Sequence, residues 1–174
     1  QRRDGAAEIT EVEVCSAAGE KELGKPQGKY ITVEIPEFAH DSELLDGRLT
    51  AMTETLCSLL PKDGAVLVAG LGNPDITPDA LGPRTARGVF ATRHIDKTLA
   101  QSLGFSELRE VCAVSFGVLG QTGMETAEAL RGMVGTVHPC AVITVDALAS
   151  RSLARFGQTV QLTDTGATPA SRVA

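Results

Sequence analysis

The most constraining stretch runs from Ala65 to His94 and reads AVLVAGLGNPDITPDALGPRTARGVFATRH. Its apolar run, Ala65 to Ala69, has the length of a buried strand and stops at Gly70-Leu71-Gly72-Asn73. After a short polar loop, Thr77-Pro78-Asp79 opens a segment that can be helical. Pro78 suits a first helical position, where its missing N–H has no partner to lose. Thr77 before it is a candidate N-cap. Asp79 then falls in the first turn, where the helix dipole favours a carboxylate. By itself such an acid is ordinary helix stabilisation. A second apolar run, Cys140 to Val145, stops at Asp146. Open parallel sheets bind their ligands beyond the carboxyl ends of the strands. If both runs belong to one such sheet, Asp79 and Asp146 share an edge. Two carboxylates converging on a cleft can share a proton, activate a water or hold a metal.

The flanking pattern supports an α/β chain. Glu11–Cys15 and Tyr30–Ile35 alternate as strands with one wet face, and Pro36 ends the second. They are expected to pair antiparallel as a meander at the edge of the main sheet, with a loop over 17–27 between them. Ser42–Leu60 carries Leu45, Leu49, Met52, Leu56, Leu59 and Leu60 at helical spacing, which predicts one apolar stripe. Asp41 or Ser42 can cap this helix, and Pro61 stops it. The segment after Asp79 is expected to stay helical almost to His94, and residues 96–110 read as a polar excursion. Val111–Phe116 is a further strand and Gly117–Gly123 a loop. Thr122 and Glu125 have the spacing of a capping box for a helix from Met124 to about Val134. Beyond Asp146, Ala147–Phe156 is a candidate helix and Thr159–Thr163 a last strand. Strands alternating with helices predict a mostly parallel sheet flanked by helices. The whole of 1–174 reads as one domain.

Composition removes several function classes. The formal net charge is −6 over 174 residues, the opposite of the basic face a nucleic-acid binder needs. No apolar run approaches the ~20 residues that span a bilayer, so no membrane partner is expected. Aromatic residues make up 3% of the chain, too few for a platform that stacks bases. Cys15, Cys57, Cys112 and Cys140 are scattered and read as free thiols, mostly buried, in a reducing cytoplasm.

Two short motifs point elsewhere and are weak. Gly70-Leu71-Gly72-Asn73-Pro74-Asp75 begins like a dinucleotide fingerprint, but Asp75 stands where a third glycine belongs and opposes a pyrophosphate. A nucleotide-binding or purely non-catalytic α/β domain therefore remains only an alternative. The glycines are better read as letting the turn bend, with Gly70, Gly72 and Asn73 offering backbone amides to a substrate oxyanion. Asp164-Thr165-Gly166 spells the Asp-Thr-Gly of pepsin-like proteases, which are built from β lobes. In an α/β chain Asp164, like Thr77, is expected to support the site or the structure. His94 and His138 lie away from the expected edge, and no serine or cysteine sits in a nucleophile elbow. Catalysis would fall to the carboxylates.

GLGN with TPDALGP (Gly70–Asn73, Thr77–Pro83), TRH (Thr92–His94), GVLGQTGMETAE (Gly117–Glu128), VDALASR (Val145–Arg151) and TDTG (Thr163–Gly166) together resemble the germination protease family of endospore-forming bacteria. ELGKPQGKYITVEI (Glu22–Ile35) is similar to that family too. The resemblance keeps its order over nearly the whole chain. It implies an endopeptidase of the spore cytoplasm that cleaves small acid-soluble spore proteins during germination. It also implies a zymogen that removes its own propeptide, and a homotetramer. The fold implied is that of the hydrogenase maturation proteases, phosphorylase-like, in which an acid after the GxGN turn and another after a later strand join a histidine to hold a metal. The family's essential acids carry over onto Asp79 and Asp146. No histidine here is placed to be a third ligand, so no cofactor is expected, with a divalent metal on the two aspartates as the alternative. The family is also expected to run on past the DTG region, so its C-terminal part is read as missing from the sequence shown.

Overall fold

Polar and apolar residues alternate along two early segments, and both form strands. The computed structural model describes residues 2–4, 7–35, 48–102, 104–105, 108–150 and 155–166. Two compact units result, one from Gln1–Leu60 with Ser150–Ala174 and one from Pro61–Ala149.

The first unit is an antiparallel sheet. Strands β1 (Arg2–Asp4), β2 (Ala7–Val14), β3 (Gly28–Glu34) and β7 (Thr159–Thr163) lie in the order β1-β2-β3-β7. Pairing sets Ile9 beside Val33, and Val33 beside Val160. One face thus carries Ala7, Ile9, Ile31, Val33 and Ile35, all buried, with Val160 and Leu162 packed against them. Helix α2 (Arg48–Leu59) completes this core with Ala51, Met52 and Leu59. The antiparallel pairing is as expected, but these strands hydrogen-bond among themselves and with β7, not with the parallel strands.

Two details depart from the sequence expectation. Residues 17–27 are not all loop, because α1 (Ala17–Leu23) forms with Ser16 as N-cap and Gly24 in the left-handed conformation at its end. It buries no residue, so it leaves no apolar period to find. On α2 the buried line runs through Ala51 and Thr55, while Leu49 is 48% exposed. Small residues let the helix approach the sheet. The Thr55 hydroxyl avoids going unpaired by donating to the Ala51 carbonyl at 2.7 Å, the usual device for a hydroxyl inside a helix. The expected start of this helix, with Asp41, Ser42 and Leu45, and the stop at Pro36 lie outside the described residues.

The second unit is a parallel sheet ordered β5-β4-β6, from β4 (Val66–Gly70), β5 (Val111–Ser115) and β6 (Ala141–Val145). Every residue of central β4 is buried, as a strand covered on both faces requires. Helix α3 (Leu81–Gly88) lies over all three strands, and α6 (Thr126–Val137) approaches β4. Short helices α4 (Lys97–Ser102) and α5 (Leu119–Thr122) complete the unit. The helix after Asp79 therefore ends well before His94, and α5 replaces part of the expected 117–123 loop. Glu125, not Thr122, occupies the N-cap of α6. Residues 147–150 carry no helix, and 151–154 lie outside the described residues.

The amino ends of the strands are fastened by side chains. Arg109 Nε donates to the Gly64 carbonyl at 2.8 Å, and its Nη2 to Cys140 Sγ at 3.2 Å. Thr92 is buried, donates to the Arg109 carbonyl and accepts from Val111 N at 2.8 Å. The cysteines are free, but Cys15, Cys57 and Cys140 are exposed and Cys112 only half-buried, so burial of the thiols does not hold. Cys15 lies just past β2, Cys57 on the outward side of α2, and Cys140 ahead of β6. Among the described residues no helix is long and apolar enough to cross a membrane.

Thr92→Val keeps the shape of the side chain and strips both hydrogen bonds. Leaving two strand-end groups unpaired costs about 1–3 kcal/mol, a fall in Tm of roughly 2–10 °C for a chain of this size. Thermal melting of the variant beside the parent checks it.

Candidate active site

The site is built on a glycine contact between strand and helix. At Gly70, the last residue of β4, a Cβ would run into the Gly82 carbonyl and come within 2.9 Å of Ala86 Cβ. A Cβ on Gly82 would collide with the carbonyls of Leu71 and Val145 and reach Leu71 N at 2.6 Å. Backbone therefore meets backbone, which only glycine permits. Leu71 N also donates to the Val145 carbonyl at 2.8 Å. The start of α3 is in this way seated over the carboxyl ends of β4 and β6, where Gly70 pairs with Val145.

Asp79 lies three residues before Gly82, in a 3-10 turn over Thr77–Asp79 that precedes α3. Thr77 is not an N-cap. Ile76 takes that place with no side-chain hydrogen bond, and the Thr77 carbonyl accepts from Ala80 N at 3.3 Å. A tight 3-10 turn supplies the bend that a capped α-helix would otherwise have needed. Asp79 is half-buried, and its Oδ2 accepts from Asn73 N at 2.7 Å. Gly72 makes room for it. There φ is +114°, and a Cβ would meet the Asp79 carbonyl and lie 2.9 Å from Asp79 Oδ1. The Asn73 amide is thus occupied by the Asp79 carboxylate and is not turned to a substrate oxyanion.

Asp146 follows Val145 directly at the end of β6, is exposed, and accepts from Ala147 N at 2.8 Å through Oδ1. Since Val145 pairs with Gly70, Asp146 and the Gly70–Asn73 turn leave the sheet at one edge. His138 lies at the opposite end, closing α6 with φ 48° just before β6. His94 stands in the turn after α3. Asp164 belongs to the antiparallel unit, where its Oδ1 accepts from Lys29 N at 2.7 Å beside Gly28.

One residue of this edge gives no signal in the sequence. Gln121 of α5 donates from Nε2 to Asn73 Oδ1 at 3.1 Å and to Asp75 Oδ2 at 3.0 Å. Asn73 Oδ1 also accepts from Asp75 N at 2.9 Å. A glutamine in a polar loop has no period or spacing that announces such a role.

Among the described residues no group of three His, Cys, Asp or Glu side chains can hold a metal ion. The donor set at this edge does not fit a resident metal, because Asp79 and Asp146 lack a third partner there. What the arrangement can do is place two carboxylates, one anchored and one exposed, beside a substrate lying across the sheet edge.

Known proteins share this sequence. The sequence model of the family described as "Germination protease" matches residues 1–174. A germination protease of Caldanaerobacter subterraneus subsp. tengcongensis is 46% identical over 168 residues, covering 95% of this chain and 52% of that protein. One from Clostridium perfringens is 40% identical over 168 residues, covering 95% of this chain and 51% of its own length. One from Bacillus velezensis is 35% identical over 179 residues, covering 99% of this chain and 48% of its own. The chain thus spans about half the length of the relatives it matches.

Gly72→Ala puts a side chain at a strained φ and against Asp79. It is expected to cost roughly 1–3 kcal/mol. Gly132, in the middle of α6, has open space where a Cβ would stand, and Gly132→Ala is expected to stabilise by about 0.5–1 kcal/mol. Denaturant unfolding of the two variants side by side checks the opposite signs.

Proposed function

The chain belongs to the germination protease family, and on that premise we propose that it is the part of a spore endopeptidase that carries Asp79 and Asp146 as its catalytic pair. The substrate is a small acid-soluble spore protein, cleaved in the spore interior during germination. The same reading takes the protein to be made as a self-processing zymogen and to work as a homotetramer. The observation that carries the reading is the shared edge. Gly70 pairs with Val145, so the turn that anchors Asp79 and the strand that ends in Asp146 emerge together.

The chemistry follows from which oxygens are committed. Asp79 Oδ2 holds the Asn73 amide, so Oδ1 takes a proton from the attacking water. Asp146 Oδ1 accepts from Ala147 N, so Oδ2 carries the proton that polarises the peptide carbonyl. Two neighbouring carboxylates that share one proton divide the roles of base and acid in this way. The water oxygen bonds to the carbonyl carbon as the Asp146 proton passes to the carbonyl oxygen. The C–N bond then breaks, the amine leaves with the proton held by Asp79, and Asp146 recovers its own from the collapsing gem-diol. The Gly70–Asn73 turn acts by fixing Asp79, and no step runs through a metal.

Asp79→Asn and Asp146→Asn in the protein at its natural full length are each expected to lower kcat at least about 100-fold. Both should leave Tm within roughly 2 °C of the parent, since neither empties the core. Cleavage of a purified small acid-soluble spore protein is the assay, run with and without a strong chelator. Survival in chelator is expected. An active Asp79→Asn variant ends the scheme, and activity lost to chelator but restored by a divalent ion turns both acids into metal ligands.

A further inference from the structure

We infer that Gln121 is a positioning residue for the reaction proposed above, clamping the loop after β5 to the Asn73 turn and thereby fixing the amide that anchors Asp79. The inference rests on that reading of the site. A primary carboxamide offers two N–H donors and one carbonyl oxygen, and Gln121 spends all of them inside the protein. Nε2 donates to Asn73 Oδ1 at 3.1 Å and to Asp75 Oδ2 at 3.0 Å, while Oε1 accepts from Val118 N at 3.4 Å. Nothing remains for a substrate, so the side chain holds the site without binding at it.

The orientation of the amide is dictated by its neighbours. Asn73 Oδ1 is already an acceptor for Asp75 N at 2.9 Å, and Asp75 presents a carboxylate oxygen. Two acceptors side by side require an NH2 group between them, which Gln121 supplies and a carboxylate side chain in its place could not. The loop is shaped to bring it there. A Cβ on Gly117 would lie 2.9 Å from Gln121 Oε1. The route to Asp79 is then short, because the residue whose side chain Gln121 grips is the one whose N–H binds Asp79 Oδ2 at 2.7 Å.

The exposed position of Gln121 separates this role from a structural one. Losing bonds that water can replace costs little stability. A small displacement of a reacting group, by contrast, can slow a reaction about 100-fold.

The experiment uses the full-length protein and small acid-soluble spore protein as substrate, with kcat, KM and Tm measured for each variant. Gln121→Ala is expected to lower kcat by roughly 10- to 100-fold with KM nearly unchanged. Gln121→Glu, facing Asp75 with no donor, is expected to fall at least as far. Adding Asp75→Asn to Gln121→Glu exchanges amide and carboxylate, restores one donor between positions 75 and 121, and is expected to recover about tenfold of the lost kcat. If Gln121→Ala also melts lower, the double variant decides, since recovery of kcat supports the clamp and no recovery overturns it. A parent that cleaves while both single variants keep its kcat overturns the positioning role and leaves the proposed function standing. A parent that does not cleave sinks both.

Discussion

The parallel unit depends on the contact of one backbone with another at Gly70 and Gly82. A helix normally packs on a sheet through a layer of side chains, with the two backbones about 10 Å apart. Here the first turn of α3 comes down until the Gly82 backbone faces the carbonyls of Leu71 and Val145. That approach is steric before it is energetic, because any Cβ at either position occupies space already filled. Once made, it fixes the 3-10 turn that precedes α3, and with it Asp79. The buried neighbours Pro83 and Ala86 keep the contact dry, and Leu71 N finds its partner in Val145.

The parts of this arrangement that are legible in the sequence are those with local causes. The apolar runs ending at Gly70 and Val145 are strands because their length and branching allow little else, and the polar residue after each run locates the edge. Asp79 and Asp146 can be put together on that ground alone. Helix α1 escapes such reading because Ser16 and Gly24 hold it at its ends and no face of it is buried. The buried line of α2 is misplaced because counting leucines overlooks Ala51 and Thr55, whose small size is what brings the helix close. Thr77 looks like a cap, yet the chain solves the same bend with a 3-10 turn. The pairing of β7 with β3 is hidden for a different reason. Tyr30 meets Thr163 across most of the chain, and no local pattern encodes a partner that distant.

Gln121 belongs to the same class of hidden feature. Its contacts with Asn73 and Asp75 bridge 48 and 46 positions, and its chemistry matters only because two loops converge. The antiparallel unit shows the corresponding device at Asp164, whose carboxylate reaches the Lys29 amide over 135 positions. In both cases a polar side chain at the end of an element binds a distant turn, and the pattern that identifies it exists only in three dimensions.

The site edge is held differently from the core, and the difference has a consequence for function. Strand β4 is kept in place by burial, which is insensitive to small errors of angle. Asn73, Asp75, Asp79 and Gln121 are half-buried or exposed and are held by hydrogen bonds, each worth about 0.5–1.5 kcal/mol net. Such bonds add little to folding but are directional, so together they set angles that packing leaves loose. Asn73 joins them, accepting through its side chain from Gln121 and Asp75 and donating through its backbone to Asp79. An edge organised in this way separates stability from geometry. The glycine contact and the buried strand decide whether the unit folds, and the exposed bonds decide where its carboxylates point.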